Sequence, residues 1–482
     1  MTMKNQETEK AIKEFRRWRE NLFNGLKARK ESLIELIDAL SSNQQATSVV
    51  ELSLNPLFRR NYNSLYKGIQ EFFPYQTEDT EDEYLKQIKD LLKAVSLTIP
   101  LSQSRHFNLF AIDTTPYQRP YSPVLADKKF IHYPNPIKGN KPINIGHTYS
   151  VICALPDPTI TGNKPWAVPL SGERVPSNDK AANVGNKQLK EIFESSSFSR
   201  QELSVLVADN FYSQRDFIGE QVNYKNLVTI TRVRSNRVFY RQFIEKITTQ
   251  KKSGHPRWYG DKFDLKDENT WTQPNEVTQC VFTTKTGRQL TTTISAWKQM
   301  LMRGNKNYKM NSYPFTLLQI LITDEVNNAV WQPMWLIVIG SRREELSLID
   351  CYQSYRQRYD IEHFFRFSKQ KLLMTAYSTP DVRHEENWFK LTLLAYVNLW
   401  AARKLAVVLP RPWEQYLKTN ELIKISPSLV QRDFERIIST LGTFASSPKR
   451  RGYSSGRIKG YKQVPRTRHQ VIKKRQKNKL NK

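Results

Sequence analysis

Two short runs constrain this chain more than anything else in it. Phe107-Asn-Leu-Phe-Ala-Ile-Asp113 and Leu203-Ser-Val-Leu-Val-Ala-Asp209 are apolar almost throughout, and each closes on an aspartate. Runs of this length, rich in β-branched and aliphatic residues, suit buried strands. They put an acid at the rim of a sheet, where loops build sites. Tyr149 to Leu155 and Pro165 to Leu170 read as further strands, Asn186 to Phe198 and Ser213 to Gln221 as helices, and Leu227 to Thr231 as a strand that closes the series. Tyr117 to about Lys141 reads as a loop rich in Pro, Lys and Tyr. Three strands, helix, strand, helix, strand is a mixed α/β layout around one sheet.

The flanks differ in pattern. Residues 1–100 read as helical, with apolar residues at helical spacing from Ala11 to Leu40 and again up to Leu97. A plain helical bundle and a DNA-end-binding region are both open readings there. The core is expected over 101–231 and again over 334–380. Between them, 232–333 shows Thr- and Val-rich alternation with Gly and Asn turns, the pattern of an inserted β-rich subdomain. A strongly apolar helix from Glu386 to Leu405 marks a helical C-terminal region over 381–445. The tail over 446–482 is basic and free of acids.

Bulk chemistry narrows the partner. The 482 residues carry 75 Lys and Arg against 46 Asp and Glu, a formal charge of +29, which calls for a polyanion such as DNA or RNA. Aromatics make up 11% of the chain, more than an RNA-coating protein needs and typical of a globular enzyme. Cys153, Cys280 and Cys351 are scattered, which argues against a disulfide framework or a zinc site and fits a reducing compartment. No segment is long and apolar enough for a membrane, and Met1-Thr-Met-Lys4 opens a polar stretch unlike a signal peptide. No Gly-rich phosphate loop implies a nucleotide cofactor.

The third informative stretch is Tyr355-Arg-Gln-Arg-Tyr-Asp-Ile-Glu-His-Phe-Phe-Arg-Phe-Ser-Lys369, read as one helix. At about 100° per residue, Tyr355, Arg358, Glu362, Arg366 and Lys369 share one face, and Asp360 lies on the other side. Taken singly, each acid has a structural reading: Asp209 can cap the next helix, and Glu362 can pair with Arg358 or Arg366. Taken together, Asp113, Asp209 and Glu362 can hold divalent metal, Mg²⁺ or Mn²⁺, for phosphoryl transfer, while the cations orient a phosphate backbone. His147 reads as a structural histidine.

The spacing Tyr355-x2-Arg358-x3-Glu362-x6-Lys369 resembles the Tyr-Arg-Glu-Lys signature of IS4-type DDE transposases. Arg232-Val-Arg-Ser-Asn236 resembles the basic segment that follows the second aspartate's region in that family, and the order Asp, Asp, β-insertion, Glu fits. The resemblance spans roughly residues 105–375. It implies an RNase H-like core and a metal-binding catalytic triad of Asp113, Asp209 and Glu362. It further implies DNA contacts by Tyr355, Arg358, Lys369, Arg232 and Arg234, to which the shared helix face adds Arg366. By the same resemblance the partners would be terminal inverted repeats and target DNA, bound by a homodimer at a bacterial nucleoid. A non-catalytic DNA-binding derivative and a stand-alone nuclease remain alternatives. In relatives with a β-insertion an aromatic residue can stack on a flipped base, and Trp297 is the first choice among Trp258, Trp271, Trp297, Trp331 and Trp335.

Overall fold

The computed structural model describes residues 3–73, 80–132, 143–195, 198, 202–243, 257–284, 286–409, 425–448 and 465–472. Most of the basic tail, and residues 244–256 of the insertion, lie outside them.

The N-terminal region is helical: α1 (Met3–Gly25), α2 (Lys30–Ser41), α3 (Tyr62–Glu71) and α4 (Glu81–Ser96). The apolar pattern from Ala11 to Leu40 is divided between two helices, because Arg29 takes a left-handed backbone (φ 50°) and turns the chain. The sheet begins with β1 (Asn108–Gln118), β2 (Lys129–His132), β3 (Ile143–Ala154) and β4 (Val168–Arg174). It continues after α5 (Ala181–Ser195) with β5 (Ser204–Ala208), then α6 (Arg215–Gln221) and β6 (Leu227–Val233). Strand β2 falls where the sequence reads only a loop. It is four residues long with Pro-rich flanks, too short to show a pattern.

The order β4–β3–β1–β5–β6, with β1, β5 and β6 mutually parallel and β3 antiparallel to β1, is the RNase H-like core. Strand β5 is buried at every position, as a central strand must be. From 232 to 333 come β7 (Val238–Gln242), β8 (Tyr259–Asp264), β9 (Glu276–Thr283), β10 (Gln289–Leu301) and β11 (Phe315–Thr323), followed by β12 (Met334–Ile339). These strands do not stand apart. β12 pairs antiparallel with β6, and the sheet runs on through β11, β10, β7 and β8. Core and insertion share one hydrogen-bonded sheet.

After β12 come α7 (Leu348–Gln357), α8 (Asp360–Lys371), α9 (Val382–Ala402), α10 (Leu405–Val408) and α11 (Pro427–Leu441). Helix α7 packs on β5 and β6, and α8 on β1. Helix α9 is buried nearly all round, between β4 on one side and α2, α3 and α11 on the others. A polar tie fixes that layer. Arg19 donates from Nη2 to Asp38 Oδ2 (2.7 Å), Asn398 Nδ2 donates to the other Asp38 oxygen (3.2 Å), and Trp18 Nε1 donates to Asn398 (3.0 Å). Residues 465–472 return to the β2 edge, where the Ile472 N–H donates to the Lys128 carbonyl (3.0 Å).

Candidate functional site

Strand pairing assembles the first two acids. Ile112 lies opposite Ala208 in the parallel β1–β5 pair. Asp113 and Asp209 follow them, side by side on one face of neighbouring strands. β1 does not end at Asp113 as the sequence suggests. It runs on to Gln118, paired beyond this point to β3 alone. That one-sided pairing accommodates Pro116, which has no N–H to give a second neighbour, and it leaves Asp113 facing an open edge of the sheet.

Asp209 does two things at once. Its carboxylate accepts from the Phe211 N–H (2.9 Å), capping the short turn Asn210–Tyr212. Its carboxyl is still held above the ordinary aspartate value, chiefly by burial, with the Phe211 N–H and Arg358 pulling the other way.

The third acid arrives from the helices. The expected single helix over 355–369 is two helices, α7 and α8, joined by a tight turn at Arg358 and Tyr359. There the bonds shorten to i→i−3 (Arg358 N to Tyr355 O, Tyr359 N to Arg356 O). Both residues keep right-handed backbone angles, so the sequence period passes through the junction unbroken. Upstream, α7 is started by a capping box in which Ser347 and Asp350 satisfy each other's backbone N–H groups.

At that junction Arg358 bridges two acids. Nη1 donates to Asp113 Oδ2 (3.0 Å) and Nη2 to Glu362 Oε1 (2.9 Å). Asp113 and Glu362 therefore face one guanidinium, and Asp209 stands next to Asp113. Burial pushes the Asp113 carboxyl up to about 6; Arg358 opposes, while Asp209 and Glu362 add to the rise. Mutual repulsion of this kind marks acids gathered closer than their own charges favour. Among the described residues no three His, Cys, Asp or Glu side chains form a ready-made coordination sphere. The guanidinium stands where the acids would share a cation. The donor set, all carboxylate oxygen, is nonetheless what a hard divalent ion takes.

The surrounding groups divide. Tyr355 is buried under Arg358, whose guanidinium lies 5.8 Å from the ring centroid. Burial raises its phenol, with Arg358 and then Arg232 opposing. Arg232 and Arg234 are exposed at the end of β6, and Arg234 bears on Asp209. Arg366 is exposed one turn beyond Glu362. Lys369 is half-buried and pushed down to about 8 by burial alone.

Sequence reading missed Tyr212. It is buried beneath the acids, its phenol raised well above the usual range by burial, with Asp113 and then Asp209 adding to it. Its position three residues after Asp209 is the one signal that could have found it.

Trp297 is not available to a base. It is 3% exposed, packs with Phe263, Trp271 and Trp335, and donates to the Thr272 carbonyl (2.7 Å). His147 is buried as a structural residue between Glu385 Oε1 (2.7 Å) and the Ala126 carbonyl (3.0 Å).

The family model described as DDE superfamily endonuclease matches residues 21–304, a stretch that holds Asp113, Asp209, Arg232 and Arg234 and stops short of Glu362. No curated protein matches the chain.

Proposed function

The chain belongs to the DDE superfamily endonucleases, and from that premise we propose that it is a DNA transposase of the IS4 type. The family assigns it to transposase- or nuclease-like chemistry on DNA. The further reading is that it binds the terminal inverted repeats of its own element, nicks the strand at each end and joins the freed 3′-hydroxyl to target DNA. The observation that carries this is the convergence of Asp113, Asp209 and Glu362 on one sheet face, from two strands and a helix far apart in sequence.

In this reading Asp113, Asp209 and Glu362 hold divalent metal, Mg²⁺ or Mn²⁺. When bound, such an ion favours ionised water or a 3′-hydroxyl and neutralises charge on the leaving oxygen. The chain's own part is positioning. Asp113 and Asp209 are fixed by adjacent strands, and Asp209 is further oriented by the Phe211 N–H. Arg358 holds Glu362 opposite Asp113 while no metal lies between them, and, once displaced from there, its guanidinium would serve a phosphate oxygen. Arg232, Arg234, Arg366 and Lys369 steer the backbone. Tyr355 and Tyr212 are buried next to the acids and Arg358. Two copies acting on paired ends would complete the reaction.

Strand transfer separates a transposase from a nuclease of the same fold. A labelled duplex ending in the element's own repeat is incubated with supercoiled target plasmid, Mg²⁺ and either wild type or Asp209→Asn. Wild type should yield nicked and joined products, and the variant neither, with repeat binding retained. Cutting without joining would reduce the reading to an endonuclease. Binding without cutting by wild type would leave a DNA-binding protein.

A further inference from the structure

Away from the sheet, α1, the end of α4 and the end of α9 line a cavity of about 340 Å³ whose polar lining includes Glu14, Arg17, Asn21, Thr98, Arg403 and Lys404. Its charge is lopsided. Arg403 is 5% exposed, its guanidinium centred 3.5 Å from the Trp400 ring centroid, with Nη1 donating to the Trp400 carbonyl (2.8 Å). Among the described residues no carboxylate pairs with it. Burial pushes its guanidinium down to about 9, with Glu14 alone opposing. Lys404 pairs with Glu14 (2.8 Å), and Arg17, exposed one turn along α1 from Glu14, makes no ion pair among the described residues.

A structural role for Arg403 accounts for part of this. A cation at a helix C-terminus is favoured by the dipole, and stacking on Trp400 adds a cation–π contact. Neither explains why three cations share a cavity with one carboxylate. A buried guanidinium without a counter-ion is costly, and an anion entering the cavity would relieve it. Arg donors in a fork favour the geometry of phosphate oxygens. We propose that this cavity binds a phosphate group, supplied by a DNA backbone or by a free phosphate. It is separate from the acids of the catalytic face and does not depend on how they act.

The test uses the full chain and two sets of variants, Arg403→Met and the exposed pair Arg17→Gln with Lys404→Gln. Melting is followed in inorganic phosphate and in chloride at matched ionic strength. Wild type should melt about 2–4 °C higher in phosphate, and both variants should lose that increment. If Arg403→Met does not fold, the exposed pair carries the test. The salt slope of binding to a labelled duplex then names the source. A slope reduced by about 2 in the exposed pair assigns the site to the DNA backbone; an unchanged slope with the increment lost assigns it to free phosphate. No phosphate-specific increment in wild type, or one the variants retain in full, would overturn the proposal.

Discussion

Asp113 holds its charge against its surroundings. Its carboxyl titrates near 6 in the folded chain against 3.8 ordinarily. Between those values the folded state binds more protons than the unfolded one, so stability falls as pH rises through that window. Above it, ionised Asp113 opposes folding by up to about 3 kcal/mol. Asp113→Asn should therefore gain on wild type between about pH 4 and pH 7 in chelated buffer, read from urea midpoints. A divalent cation should reverse the order above pH 6 by stabilising wild type alone. A pH-independent difference would show that burial does not hold this carboxyl up. Arg358 was legible as a residue on the face of Glu362, but its bond to Asp113 was not. The two are 245 positions apart, and only strand order and helix docking bring them together.

At the scale of elements, periodicity located most segments, because apolar runs and caps are local. Strand β5 falls within the apolar run that ends at Asp209, and α9 is as buried as its apolar sequence requires. The helix break at Arg358 was illegible, since both residues keep helical angles and the period is unbroken. The extension of β1 past Asp113 was hidden by Pro116, which normally argues against a strand. The tie between sheet and helical layer was also hidden. Glu385 on α9 is fully buried and accepts from Arg119 (2.9 Å), Tyr149 (3.0 Å) and His147 (2.7 Å), so β1 and β3 are fastened to α9. Removing it leaves the Arg119 guanidinium buried beside neutral groups. Glu385→Ala should lower stability by about 3–5 kcal/mol, measured by denaturant unfolding, with loss of activity only where the fold is lost. A loss below about 1 kcal/mol would mean that the network does not join the two layers.

At the scale of the molecule, the sequence pointed to an acid-bearing α/β core and a basic chain made for a polyanion. What it could not show is that the 232–333 strands extend the core sheet through β12 instead of folding apart, since strand neighbours are a matter of long-range pairing. The consequence is functional. A single sheet holds β1, β5 and β6 in register with the strand that leads into α7, so Glu362 is placed by the insertion as well as by the core. These three carboxylates are proposed to make one metal-dependent centre. Its most direct test is cleavage of a labelled duplex carrying the repeat that flanks the gene, with Mg²⁺ or EDTA, by wild type and by Glu362→Gln. Wild type should nick at the repeat boundary in Mg²⁺ and not in EDTA, and the variant should not nick at all despite near-normal repeat binding. Nicking by the variant at the wild-type rate would contradict the proposal, leaving Glu362 as no more than the ion-pair partner of Arg358.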